Sequence, residues 1–223
     1  FDCLEIIRVL KPKSEPIYYP LTLDDTESYD IIFKSRKTKE FNLIKNKKLI
    51  TFISYGNIYD RREIPFLLKA IENLNNTSSL EFRLILIGED ATSASNIDEL
   101  CKKYTYSIVR SNYLNKDELE NYIRQADYGV CLSTQDGTSY ILLEYALSGV
   151  PIITTELMSK EINNNGIIIS KNLKQNEFKQ LILNDLKEKK ESKFKQLNSA
   201  RKFVKSNFPN NENINVDCLI NYK

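Results

Sequence analysis

Residues 131–155 read CLSTQDGTSYILLEYALSGVPIITT. Two short apolar runs bracket this segment, one ending at Leu132 and one beginning at Pro151, and both have the length and composition of buried strands. Turn formers occupy 133–137, and Thr138 or Ser139 is placed to cap a helix that follows at once. Gly149 closes that helix, and Pro151 cannot continue it. The unit is therefore strand, turn, helix, turn, strand, with strands apolar on both faces, as in a parallel sheet covered on both sides.

The odd residue in this unit is Glu144, flanked by Ile141, Leu142 and Leu143 before it and Tyr145, Ala146 and Leu147 after it. A carboxylate in such company costs several kcal/mol to bury without a partner, roughly the penalty of an isolated buried charge after relaxation. It should face a polar group in a cleft. An ionised carboxylate only accepts hydrogen bonds, so a pair of neighbouring hydroxyls such as a ribose diol suits it. Asp136, eight residues earlier, points toward the same cleft from the start of the helix, where the N–H groups of 137–140 have no intrahelical acceptors and attract phosphate. Each carboxylate has a plainer reading as well: Asp136 as a turn or capping residue, Glu144 as a solvent-facing helix position.

Outward from this segment the same alternation recurs. Strand-length apolar runs lie at 49–54, 82–87, 107–109, 128–132, 151–154 and 166–169, with helical spacing at 64–74, 97–104, 116–125, 139–148 and 175–186. The fold class expected is α/β, a Rossmann-like open parallel sheet with helices on both faces. Ligands then bind beyond the carboxyl ends of the strands, near the switch in strand order. Of six glycines, Gly56 and Gly88 each lie just beyond a strand, where the backbone must turn or approach a ligand closely. No G-x-G-x-x-G follows the first strand, which argues against a nicotinamide or flavin dinucleotide site.

Three segments are expected: a connector at 1–48, weak and charged in pattern from 21 onward with one short strand or turn of helix at 31–33; a nucleotide-binding domain at 49–206; and a tail at 207–223. Asp24 and Asp25 fall in the connector and read as turn or cap residues rather than metal ligands. The chain begins with Phe1, so it is expected to be a piece of a longer protein. With 223 residues and 41% hydrophobic content it can bury a sizeable core, and no apolar run approaches the ~20 residues that span a bilayer. A net charge of +2, without aromatic and basic residues interleaved, argues against nucleic acid. The segment 187–205 carries eight basic residues against two acidic, which reads as a solvated helix face or as a peripheral contact with an anionic membrane. Four scattered cysteines indicate reduced cytoplasmic thiols with neither disulfides nor zinc. There is no histidine, which removes the commonest general base and the usual zinc ligand.

On these residues the chain resembles the C-terminal half of the GT-B glycosyltransferases, specifically the large retaining family called family 4 or group 1. The E-x7-E element of that family appears as Asp136 to Glu144, in the branch reading DGTS, followed by the small-Gly-x-Pro turn at 148–151. Residues 54–62, SYGNIYDRR, look like the family's glycine loop ending in a basic pair, and 84–88, LILIG, like its second strand. The resemblance covers about 17–186. It implies a nucleotide-diphosphate sugar donor of UDP or GDP type, no metal or other cofactor, and a glycan or lipid-linked acceptor held by a missing N-terminal half. Glu144 would bind the ribose and Asp136 the donor sugar. Arg62 with Arg61 would hold the diphosphate, and the catalytic parts fall to Asp136 and Arg62. Gly56, Gly137, Thr138 and Ser139 would bring backbone to the phosphates, and the loops at Gly88 and Arg110 would flank the base. Asn57 and Asn112 stand where the family places arginine and glycine.

Overall fold

A computed structural model describes residues 26–43, 49–92, 96–134, 139–170, 174–188 and 190–208. Six strands form one sheet: β1 (Leu49–Ser54), β2 (Glu81–Ile87), β3 (Ile108–Ser111), β4 (Tyr128–Cys131), β5 (Ile152–Thr155) and β6 (Ile167–Ile169). Their order is β3-β2-β1-β4-β5-β6, and every pairing is parallel. The expected open α/β sheet is thus present, with its switch point between β1 and β4.

The side-chain alternation of β1 shows why the sheet must be covered twice. Ile50 and Phe52 enter one core and Ile53 and Tyr55 the other, with Leu84 and Leu86 continuing the first and Ile85 and Ile87 the second. Over the first face lie α2 (Ile64–Thr77), α3 (Ile97–Cys101) and α6 (Gln175–Lys187), and over the second α1 (Thr26–Leu43), α4 (Lys116–Gln125), α5 (Tyr140–Ser148) and α7 (Lys190–Asn207). Each fully buried Leu, Ile or Phe contributes about 1.5–3 kcal/mol relative to exposure. Local signals hold the helix ends: Asn115 and Glu118 form a reciprocal capping box at α4, and Gly149, at φ +67°, closes α5.

One expectation is corrected. The stretch read as weakly patterned, with one short strand or turn of helix at 31–33, forms the 18-residue helix α1. Its apolar residues make no helical stripe, so the period was invisible in the sequence; packing supplies the stability instead. Ile32 is fully buried, and Arg36, also buried, donates to the backbone oxygens of Gly149 (3.2 Å), Ile123 (3.1 Å), Arg124 (3.2 Å) and Ala126 (2.8 Å). One guanidinium therefore meets the C-terminal ends of both α4 and α5, where carbonyls lack intrahelical donors.

The basic segment forms α7, with Ala200 and Val204 buried. Its cations are partly committed within the fold: Arg201 and Lys205 (2.8 Å) pair with Asp30 of α1, and Lys193 pairs with Asp185 at 2.5 Å. Burial acts to raise the pKa of Asp30, but the pairing with Lys205 and Arg201 outweighs it and holds the carboxyl below its usual range. No described helix is long and apolar enough to cross a membrane. Cys101 and Cys131 are buried free thiols. The expectations that fall on 1–25 and on 209–223 lie outside the described residues, and of the tail expected at 207–223 Asn207 still belongs to α7.

Candidate functional site

The site is assembled from the loops after β1, β2 and β4, at the C-terminal edge of the sheet. Gly56 follows β1 with φ +89°, and a Cβ there would meet Ile141 Cδ1 at 2.7 Å and Arg62 Nη2 at 3.3 Å. Gly88 follows β2 with φ +135°, and a Cβ there would lie 2.2 Å from the carbonyl oxygen of Gly56. The two glycine loops therefore touch backbone to backbone, a contact that no other residue at 88 permits. The Ile58 N–H donates to Glu89 O (2.8 Å), and the Ala91 N–H to Ile58 O (2.8 Å), extending the seam.

Arg61 and Arg62 occupy a short 3-10 turn, Asp60–Arg62. Arg62 is partly buried and folds back over Gly56, donating from Nη1 to Tyr55 O at 3.3 Å. Arg61 is exposed, with its guanidinium 4.6 Å from the centre of the Tyr59 ring. Its carbonyl accepts the Thr134 N–H at 3.0 Å, which ties the loop after β1 to the loop after β4 across the switch point.

Glu144 projects from the second turn of α5, partly buried, and accepts hydrogen bonds from the hydroxyls of Tyr55 and Tyr29. Burial drives its pKa up, the two hydroxyls pull it down, and the net position is above the usual carboxylate range. The polar partner expected for this carboxylate therefore exists inside the chain. Tyr55 is buried edge-on against Tyr145 at 5.2 Å between ring centres, and desolvation with the nearby Glu144 charge keeps its phenol protonated far above the ordinary value. Tyr55 links the two ionic groups, its carbonyl to Arg62 and its hydroxyl to Glu144.

Ser139 stands at the N-cap of α5, as its spacing predicts, but its side chain makes no capping bond. Its backbone N–H donates instead to the carboxylate of Glu161 at 2.9 Å. Glu161, from the 3-10 turn Ser159–Ile162, is pushed up by burial to about 7, with the Ser139 N–H partly offsetting the rise. The N–H assigned to phosphate thus already carries an internal anion. Arg110, on β3, is committed to structure: Nη1 donates to Gly88 O (2.8 Å) and Ser111 O (2.5 Å), and Nε pairs with Asp98 (2.7 Å). Only its Nη2 is buried without a hydrogen-bond partner. Beside it lies an open cavity of about 560 Å³ lined by Tyr104, Tyr106, Ser111 and Asn112 among others. Asp136, Gly137 and Thr138 lie outside the described residues.

The structure therefore brings Gly56, Gly88, Arg62, Ser139 and Glu144 to one edge, leaves Arg61 exposed above it, and places Arg110 behind Gly88 as a staple. Sequence reasoning did not find Tyr29, Tyr55 or Glu161. Tyr55 stands between the first strand and a turn glycine, which places it near the site without saying which group it meets. Glu161 sits in a short acidic loop with nothing local to aim it, and Tyr29 lies in a stretch without helical period.

Solved structures share the fold. The N-terminal domain of Candida albicans trehalose-6-phosphate phosphatase superimposes with a TM-score of 0.62 at 16% identity, over 85% of this chain and 46% of that one. WaaG, a glycosyltransferase involved in lipopolysaccharide biosynthesis, gives 0.62 at 17% over 84% and 51%. The C-terminal domain of a glycosyl transferase group 1 family protein (LpcC) from Francisella tularensis gives 0.59 at 17% over 82% and 96%. The chain spans about half the length of the first two. No curated protein sequence matches it. The family model described as glycosyl transferases group 1 matches residues 48–188, which hold both glycine loops, the basic turn and Glu144, and the chain belongs to that family.

Proposed function

We propose that this chain is the donor-binding, C-terminal domain of a retaining GT-B glycosyltransferase of the family 4 kind. It would take a nucleotide-diphosphate sugar of UDP or GDP type and, in the whole protein, pass a hexose or related sugar to a glycan or lipid-linked acceptor. The reaction would run in the cytoplasm, with a peripheral contact at the inner face of a membrane.

The observation that carries this reading is the placement of a hydroxyl-bonded carboxylate, Glu144, and a cation, Arg62, on either side of Tyr55 and Gly56 at the switch point of the sheet. In this reading Glu144 accepts from the ribose diol, and Arg62, helped by Arg61, faces the diphosphate. Asp136 meets the sugar, and the N–H groups at the start of α5 add to the phosphate field. Negative charge grows on the diphosphate as the glycosidic bond breaks, so fixed cations and N–H dipoles aimed there lower the barrier more than they tighten the ground state.

A second reading, a catalytically silent nucleotide-binding or interaction module, is favoured by Asn57 in place of arginine and by the Glu161 carboxylate on Ser139 N–H. Calorimetric titration with UDP, GDP, ADP and their sugar conjugates, repeated on Glu144→Ala, tests the binding half of the proposal. Saturable binding of one nucleotide, weakened by about 1–3 kcal/mol in Glu144→Ala, the scale of a lost buried polar partner, supports it. No binding by the folded chain removes it. Transfer by the whole protein then separates the enzyme from the silent module.

A further inference from the structure

The structure assigns to Tyr29, on helix α1, a positioning role toward Glu144. This rests on the reading of Glu144 as the acceptor of a nucleotide's ribose hydroxyls, and it adds a group that lies outside the residues 48–188 matched by the family model.

Glu144 sits among apolar neighbours on α5, where a carboxylate is inclined to take up a proton and to turn toward solvent. Two hydroxyls oppose both tendencies. Tyr55 is immobilised by burial and by its edge contact with Tyr145, so its donor direction is set by the sheet. Tyr29 reaches the same carboxylate from a separate element, and that element is anchored at two points just beyond it. One residue on, Asp30 is held by Arg201 and Lys205 of α7. Two turns on, Arg36 is held by four backbone carbonyls at the ends of α4 and α5. The ring of Tyr29 packs on the same apolar cluster as α5.

An ionised carboxylate offers about four lone-pair sites. Two tyrosine donors from opposite elements fix its plane and leave acceptor capacity for an incoming diol, which is the preorganisation a binding site requires. The ionisable groups coupled to Glu144 from the elements around it are Tyr29 of α1, Tyr55 at the end of β1 and Tyr145 of α5 itself, while Arg62 of the turn after β1 acts on Tyr145. Among the described residues none of these groups supplies a cation directly to the carboxylate, and the two hydroxyls are its donors.

The test compares wild type, Tyr29→Phe, Tyr29→His and Glu144→Ala, using the full chain and whichever of UDP, GDP or ADP the wild type binds, between pH 5 and 8. Tyr29→Phe should weaken binding roughly three- to tenfold at the acid end, the scale of one typical lost hydrogen bond, with the gap narrowing toward pH 8. Tyr29→His, which keeps an N–H donor, should recover part of the loss. The 2′,3′-dideoxy nucleotide should bind wild type and Tyr29→Phe alike. Carboxyl 13C titration of the ligand-free chain should place the Glu144 transition at higher pH in Tyr29→Phe, a readout that needs no nucleotide. If Glu144→Ala loses affinity while Tyr29→Phe matches wild type at every pH, the positioning role is wrong and the ribose reading stands. A loss in Tyr29→Phe that is the same at every pH and for the dideoxy ligand is merely structural and also overturns it. If the wild type binds no nucleotide, both fall together.

Discussion

Replacing Arg36 by methionine keeps the aliphatic stem in its buried channel and removes only the guanidinium. In the native chain that group donates to Ala126 O at 2.8 Å and Ile123 O at 3.1 Å, and at 3.2 Å to Arg124 O and Gly149 O. A hydrogen bond from a charged group is worth about 1.5–3 kcal/mol net, and the two shorter ones alone set the scale at about 3–6 kcal/mol. The longer pair is not additive with these, and the lost desolvation cost of the cation offsets part of the sum. Arg36→Met should therefore destabilise by about 3–5 kcal/mol. Urea unfolding followed by far-ultraviolet circular dichroism measures this directly: with a slope of about 2–3 kcal/mol per molar, the midpoint should fall by roughly 1–2 M. A loss within about 0.5 kcal/mol, the range of surface substitutions, would refute the reasoning and show that Arg36 does not clamp α1 to the ends of α4 and α5.

Two further outcomes follow from the site. Gly88→Ala places a methyl against the Gly56 carbonyl at a φ of +135°, a backbone-to-backbone clash that no rotamer relieves. It should cost at least about 1–3 kcal/mol from strain alone and abolish the nucleotide binding proposed above by separating the two loops; a variant with native melting temperature contradicts the seam. Glu161 has its folded pKa raised to about 7, so its contribution to stability is complete below about 4.5, the unfolded value, and is lost as pH rises through about 7. Glu161→Gln cannot ionise, so its melting temperature should gain on the wild type from pH 4.5 to 7 and run parallel above. A difference that stays constant with pH would show that the carboxylate titrates normally.

The six strands and the helices at 64–74, 116–125, 139–148 and 175–186 were legible because each is an apolar run or stripe bounded by its own turn or cap residues, while the helix expected over 97–104 stops at Cys101. A strand such as LITFIS carries the information that it is buried on both sides, since no polar face is left for water. Glu144 was legible for the opposite reason, as one charge in an apolar helix. Its partners were not, because Tyr55 is 89 residues away and neither tyrosine has a local pattern that aims it. Ser139 was rightly placed at the start of α5, yet its N–H is claimed by Glu161 across 22 residues, a contact set by how the loop after β5 folds back.

The amino-acid sequence by itself determined the alternation of elements, the buried sheet, the turn glycines beyond β1 and β2, and the cost that forces Glu144 to find a polar partner. These are local consequences of side-chain volume, hydrophobicity and backbone freedom. Only the tertiary structure decided which groups meet that carboxylate, that Gly88 must be bare because Gly56 lies against it, and that a weakly patterned charged stretch becomes a helix clamped by one arginine. Those outcomes depend on distances between residues far apart in the chain, and burial at such contacts arises when the layers close rather than from any period along the sequence.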